Sequence, residues 1–411
     1  WARPVCMVRQ SARRGARNAR GRSSRLLQAR RPPCVARSEC ARDPAPAAPP
    51  VSPGTAASPV PALRPGAKVA IVAPASAAPD ASDQAAEWLQ ERGYAPQVMP
   101  ASRIRLQPPY DYLAGSDAER LADLHAAFAA PDVSAVWCLQ GGFGSWRLLD
   151  GLDYELLRRH PKPFIGYSDI TAVHLALQRR AGFVTFHGPM LAQDMLAGKR
   201  EPTESHLLAM LSGQFGQGAW IDPPLDAPAT TLVPGTATGR LVGGNLALIA
   251  ALIGSPYEID TRDAILFIED VNEALPRVDR LLNQLAAAGK FDGVKGVLVG
   301  SFTRILGVQM DDAQAQGMLY PLILDQFRGR GIPVLGGWPS GHGRSERRWR
   351  GRAALAPPRA RAALVGETGC RLRVPGHAAP RQGHRPGRRR FHGPPPPSAS
   401  TVRHPAQTCP A

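Results

Sequence analysis

Short apolar runs that alternate with amphipathic stretches constrain the fold of this chain most. Val69 to Val72, Ala135 to Leu139, Phe164 to Ile165 and Val184 to Phe186 are such runs. They lack the in-out alternation of a sheet with one wet face, so cover is expected on both faces. Helical stretches lie between them. Ala81 to Arg92 is one, closed by Gly93 just past its end. Another runs from Asp117 to Ala129, capped by Ser116 or Asp117, with Glu119 placed as in a capping box. Ala95 to Met99 reads as a further short strand. The alternation predicts an α/β fold with a parallel sheet covered by helices. In such a sheet, chemistry collects at the carboxyl ends of the strands.

The pattern divides the chain. Residues 66–195 form the expected N-terminal α/β domain, and the proline-bearing stretch 196–235 reads as an interdomain connection. Residues 236–342 read as a smaller C-terminal α/β domain. There, Thr238 to Leu246 leads into an apolar helix through Leu252. Ala264 to Ile268 ends in Glu269 and Asp270. A helix follows over 277–288, then a strand over 296–302. The two flanks differ in kind. Residues 1–65 hold 13 arginines against two acids, and 343–411 hold 15 against two. They carry +11 and +13 of the net +17, which leaves the middle at −7. Without apolar periodicity, both flanks are expected to be disordered.

Composition also bounds the function. Basic flanks suggest nucleic-acid-binding tails, but they lack interleaved aromatics and the body is acidic, so nucleic acid is not the expected partner. No apolar run approaches the roughly 18 residues of a membrane span. The basic N-terminal flank lacks a continuous apolar core, so no secretory signal is expected. Of six cysteines only Cys138 lies in 66–342, which fits a reducing, cytoplasmic setting. No Cys/His pair has zinc-ligand spacing.

The stretch Phe164-Ile165-Gly166-Tyr167-Ser168-Asp169-Ile170-Thr171 carries the chemistry. It reads as strand, tight turn, serine and helix, the geometry of a nucleophile elbow. Such a turn lifts a hydroxyl clear of the sheet, beside N–H groups that stabilise an oxyanion. The plainer alternative is that Ser168 or Asp169 only caps the helix. Three polar residues end apolar strands: Ser168, Glu269 and His342. A serine nucleophile needs a base, and the base needs a carboxylate to hold its tautomer. Ser…Glu…His is one of the known chain orders. His187 competes for the base and Glu273 for the carboxylate, while Glu269 also reads as an ion-pair partner of Arg277 or Arg280. His125 and His174 fall in expected helices and read as packing or surface residues. Gly141-Gly142-Phe143-Gly144 lacks nucleotide-loop spacing, and its N–H groups are candidates for half of an oxyanion hole.

Taken in order, these blocks resemble the LD-carboxypeptidase family of serine peptidases, which includes the microcin C self-immunity hydrolases. The resemblance adds Val69 to Ser76, Tyr112 to Asp117, Thr185-Phe186-His187-Gly188-Pro189, Leu241 to Leu246 and Pro339-Ser340-Gly341-His342. It implies Ser168 as nucleophile, Glu269 rather than Glu273 as carboxylate, and His342 as base. Gly142 and Asp169 are implied as oxyanion donors. It further implies hydrolysis of the L,D-peptide bond of a murein-derived tetrapeptide in cell-wall recycling. The substrate is then a small peptide, the state a homodimer, and no metal or cofactor is called for. Within the same family, the alternative is an amidase acting on peptide–nucleotide conjugates. From another class, it is an inactive ligand- or nucleic-acid-binding protein. Two departures stand out. Gln140 occupies the place of a usual Arg, and after His342 the family's Asn, Leu-Pro-x-Gly segment and closing strand give way to an Arg/Pro-rich tail. Residues 343–411 are therefore expected to be disordered or read out of frame.

Overall fold

The structure, a computed structural model, describes residues 57–198, 203–215, 220–223, 228–305, 312–343, 361–365 and 369–374. The first half runs β1 (Lys68–Val72), α1 (Ser82–Glu91), β2 (Ala95–Val98), α2 (Asp117–Ala129), β3 (Val133–Cys138), α3 (Tyr154–Arg159), β4 (Phe164–Gly166), α4 (Thr171–Ala176) and β5 (Phe186–His187). Its five strands pair in the order β2-β1-β3-β4-β5, all parallel. Alternate residues of β1 enter different cores. Ala70 and Val72 pack with Val136 and Phe164 on one face, and Val69 and Ile71 pack with Trp88 and Trp137 on the other. That two-sided burial is why these strands read as continuous apolar runs. The capping box forms as expected: the Glu119 N–H donates to Ser116 Oγ, and the Ser116 N–H donates to Glu119 Oε2 at 2.7 Å.

The second half runs α5 (Thr203–Leu211), β6 (Trp220–Ile221), β7 (Thr230–Val233), β8 (Gly235–Asn245), α6 (Leu246–Ala251), β9 (Ala264–Val271), α7 (Leu275–Ala287), β10 (Gly296–Thr303), α8 (Asp312–Phe327), β11 (Val334–Gly336), β12 (Arg361–Val365) and β13 (Gly369–Val374). The strand order is β6-β12-β13-β8-β9-β10-β11-β7. Strands β8 to β11 are parallel, and antiparallel strands flank them on both sides. The halves share one apolar core, in which Val136 and Val173 join Val242, Leu246 and Ile268. They also meet through a polar contact. The Asn245 N–H donates to Thr171 Oγ1 at 3.1 Å, and Gly244 lies so close that a β-carbon there would sit 2.7 Å from that oxygen.

Three boundary expectations need correction. Residues 57–65 belong to the fold: Ser58 bridges to Phe183, and buried Leu63 donates its N–H to Leu211 O. Isolated apolar residues among prolines show no period, so this contribution was hidden. The stretch 196–235 is more than a connection, since α5 packs Leu207 and Leu211 on the first domain while β6 and β7 join the second sheet. The tail is not wholly outside the fold either. Strand β13 pairs with β8, and Leu372 is buried with Ala237, Ile265, Phe267, Leu298 and Leu335. Its arginine content hides a period-two pattern, Arg371-Leu372-Arg373. The expected disorder of 1–56, 344–360, 366–368 and 375–411 lies outside the described residues. Leu372→Ala is expected to cost about 2–5 kcal/mol through the lost burial and the cavity left behind. Urea unfolding reads this as a lower midpoint, and an unchanged midpoint would remove β13 from the core. Among the described residues, no helix is long and apolar enough to cross a membrane.

Candidate active site

Strand β4 ends at Gly166, and the chain turns at once. A β-carbon on Gly166 would lie 3.0 Å from Ile170 Cγ2 and 3.2 Å from Cys138 Cβ, so the turn closes tightly only around glycine. Ser168 follows with φ +63. A left-handed serine costs on the order of 1–3 kcal/mol and persists only where its surroundings hold it. Here Ser145 does the holding. Its N–H donates to Asp169 Oδ2 at 2.8 Å and its hydroxyl donates to Asp169 O at 2.5 Å. Ser168 to Ile170 form one 3-10 turn leading into α4. No side chain of the turn caps it, so the strained serine is more than a helix cap.

Glu269 lies near the end of β9 and is fully buried. An ionised carboxylate is costly to bury without strong donors. His342 supplies two, both to Oε2: its ring Nδ1 at 2.7 Å and its backbone N–H at 3.2 Å. The carboxylate can only accept, so Nδ1 carries the proton and Nε2 keeps its lone pair. That lone pair faces Ser168 Oγ at 3.0 Å. Gly341 makes the approach possible. Its φ is +106, and a β-carbon there would lie 2.4 Å from Glu269 Oε2. The loop is held to β10, where the Ser301 N–H donates to Ser340 O and Thr303 Oγ1 donates to His342 O. The Tyr167 ring packs against the imidazole, centroid to centroid 4.8 Å.

The other candidates have contacts of their own. Glu273 pairs with Arg277 at 2.6 Å, an ion pair the sequence also offered to Glu269. His187 faces Glu269, with Nε2 3.9 Å from Oε1. His125 Nε2 accepts the Asp153 N–H at 2.9 Å, a structural role. His174 is buried beneath the elbow, and its Nε2–H donates to Gly166 O at 2.8 Å. Burial lowers its pKa from the usual 6.5 to about 4, against the smaller opposing effect of that bond. The folded state therefore binds fewer protons than the unfolded chain below pH 6.5, and stability falls as pH drops from there toward 4. The stability advantage of wild type over His174→Gln should shrink across that window. Burial lifts the Asp270 carboxyl to about 6, but it titrates in both proteins and cancels in the difference. A gap independent of pH would show that folding does not shift the His174 pKa.

The glycine turn closes the other side. A β-carbon on Gly141 would lie 3.0 Å from Ser168 Cβ, and one on Gly142, at φ +101, would lie 2.2 Å from Ser76 Oγ. The Phe143 N–H donates to Ser76 Oγ at 3.0 Å, and the Ser76 N–H donates to Gly141 O at 3.1 Å. Arg120 ties both loops to α2, donating from Nη1 to Pro74 O at 2.6 Å and to Gly144 O at 3.0 Å. Its Nη2 pairs with Asp117. Gln140 donates to Ala77 O at 3.1 Å and so braces the same loops. Sequence reasoning missed Ser76 and Arg120 as supports. Arg120 left one signal: it shares the buried face of α2 with Leu124, Ala127 and Phe128, where a lone cation is out of place. Among the described residues, no group of three or more His, Cys, Asp or Glu could hold a metal ion.

The model of the LD-carboxypeptidase N-terminal domain matches residues 69–188, and that of the C-terminal domain matches 238–349. A Bacillus subtilis protein named as a probable murein peptide carboxypeptidase is 42% identical over 282 residues, 68% of this chain and 85% of the relative. The chain belongs to the LD-carboxypeptidase family. It is a peptidase, and the serine type fits this family. Another relative, the murein tetrapeptide carboxypeptidase of Pseudomonas aeruginosa, is 34% identical, covering 69% of this chain and 90% of its own. Among solved structures, the muramoyltetrapeptide carboxypeptidase of Oxalobacter formigenes is similar with a TM-score of 0.55 at 28% identity, covering 76% of this chain and all of that one. The microcin C7 self immunity protein, wild type and apo, has a TM-score of 0.60 at 23% identity, covering 78% and 98%. That likeness is one of fold.

Proposed function

We propose that this peptidase hydrolyses the L,D-peptide bond of murein-derived tetrapeptides and releases the terminal D-amino acid, with Ser168, His342 and Glu269 as its triad. One observation carries the reading: the continuous path from Ser168 Oγ to His342 Nε2 at 3.0 Å, and from His342 Nδ1 to Glu269 Oε2 at 2.7 Å. Ser168 Oγ attacks the scissile carbonyl and passes its proton to Nε2. Glu269 stabilises the imidazolium and holds the ring in place. The carbonyl oxygen gathers charge near the N–H groups of Gly142 and Asp169. The C–N bond then breaks, His342 returns the proton to the leaving amine, and an acyl group stays on Ser168. Water, activated by His342, releases it. The substrate class is supported by the names of the B. subtilis, P. aeruginosa and O. formigenes relatives.

The test is incubation of purified protein with a murein tetrapeptide, with the released D-amino acid read by mass spectrometry. An intact tetrapeptide beside a cleaved peptide–nucleotide conjugate would shift the assignment to the amidase reaction. A fluorophosphonate probe tests the serine independently, and should label Ser168 alone. The same reading includes a cytoplasmic homodimer. Buried, unpaired Cys138 is compatible with a reducing compartment, and light scattering on the purified protein reads the oligomeric state.

A further inference from the structure

Glu269 has two oxygens and only one is spoken for. Oε2 accepts both donors from His342, whereas Oε1 is buried without a hydrogen-bond partner. Leaving a buried charged oxygen unmatched costs more than leaving a neutral one so. His187 Nε2 faces that oxygen at 3.9 Å. This is too long for a hydrogen bond, but catalytic contacts are often long without substrate and tighten with it.

The His187 ring is placed from several sides. Phe267, two residues before Glu269 on β9, meets it at 5.0 Å between centroids, nearly edge-on. Tyr167 lies 5.7 Å away and His174 6.5 Å away. The Tyr167 ring packs on both imidazoles, and its hydroxyl donates to buried Asp194 at 2.9 Å. Tyr167, His174 and Glu269 are titratable groups that face His187. Burial lowers the pKa of His174 and raises that of Tyr167, which keeps both uncharged near neutral pH, while Glu269 brings a carboxylate oxygen to 3.9 Å.

We propose that His187 is a positioning residue that acts through Glu269, its neutral ring presenting Nε2–H to Oε1. The contact fixes the rotation of the carboxylate, so that Oε2 stays on His342 Nδ1 while the proton moves from Ser168. The inference rests on the serine-triad reading above. It goes beyond it by giving the second oxygen a partner and His187 a task other than base.

The test compares wild type, His187→Met and His187→Gln in kcat, KM and the pH profile of kcat/KM. Methionine fills the space without a donor. It is expected to lower kcat by about 10–100-fold, the usual loss for an outer-shell partner, with KM little changed. Removing a donor leaves more negative charge for His342, so the acid limb of the profile should move to higher pH. Glutamine, which can donate to Oε1, should recover most of the rate and return the limb toward its wild-type place. If Met and Gln behave alike, or the limb does not move, the proposal fails. A second measurement needs no variant: nitrogen-15 spectra of wild-type His187 should show a neutral ring protonated at Nε2. A ring protonated only at Nδ1 overturns the proposal even if the Met variant does not fold. Fluorophosphonate labelling separates the two claims. A labelled Ser168 with an unmoved Met profile sinks the role of His187 alone, whereas an unlabelled Ser168 sinks the triad reading beneath it.

Discussion

Ser168→Ala should lower kcat by roughly 10³-fold or more while leaving the fold intact. The size of the loss follows from the chemistry, because Ser168 Oγ is the hydroxyl that faces His342 Nε2, at 3.0 Å. The small structural effect follows from what alanine keeps. It retains Cβ, so the left-handed backbone at φ +63 stays as strained as before and the Ser145 contacts to Asp169 remain. Only one hydroxyl on a partly exposed residue disappears. Thermal melts run beside the kinetics separate the cases. Near-normal turnover ends the serine mechanism, and lost activity with a collapsed melting temperature would mean that the hydroxyl is structural.

Glu269→Gln should be the next most damaging change, at up to about 10⁴-fold in kcat, the loss seen when a triad carboxylate becomes an amide. Glutamine fits the space but carries no charge to stabilise the imidazolium. Its NH2 group, if turned toward His342, favours the wrong ring tautomer. Glu273→Gln is the control. That residue is engaged with Arg277, at a side chain 60% exposed, and such pairs contribute only about 0–1 kcal/mol. Turnover for both variants on one substrate decides the matter, and a larger loss at Glu273 would move the carboxylate role there.

Much of the site could be read before any coordinates. Ser168, Glu269 and His342 each follow an apolar run, and parallel strands deliver their ends to one side of a sheet. What could not be read was how the three meet. Ser168 reaches His342 across 174 positions, through a shared core whose long-range packing leaves no local period. Helix α8 escaped for a different reason, since Pro321 in its interior reads as a break. Strands β6 and β7 are short and sit between prolines. β12 and β13 were hidden by arginine content, although β13 places Leu372 in a core. The supports of the site, Ser76 and Arg120, act by hydrogen bonds to backbone carbonyls and N–H groups, which composition cannot reveal.

The proposed nucleophile and its base stand on different sheets, joined by Thr171 against Gly244 and Asn245. That division has a consequence for when the protein becomes active. On the ribosome, the first 195 residues include the whole elbow but no base for it, so an emerging chain carries an unarmed serine. Glu269 and then His342 arrive only after the elbow has been made. With the proposed triad, hydrolysis begins only when the later sheet docks onto the earlier one. A chain cut between the two sheets is silent unless its pieces find each other again.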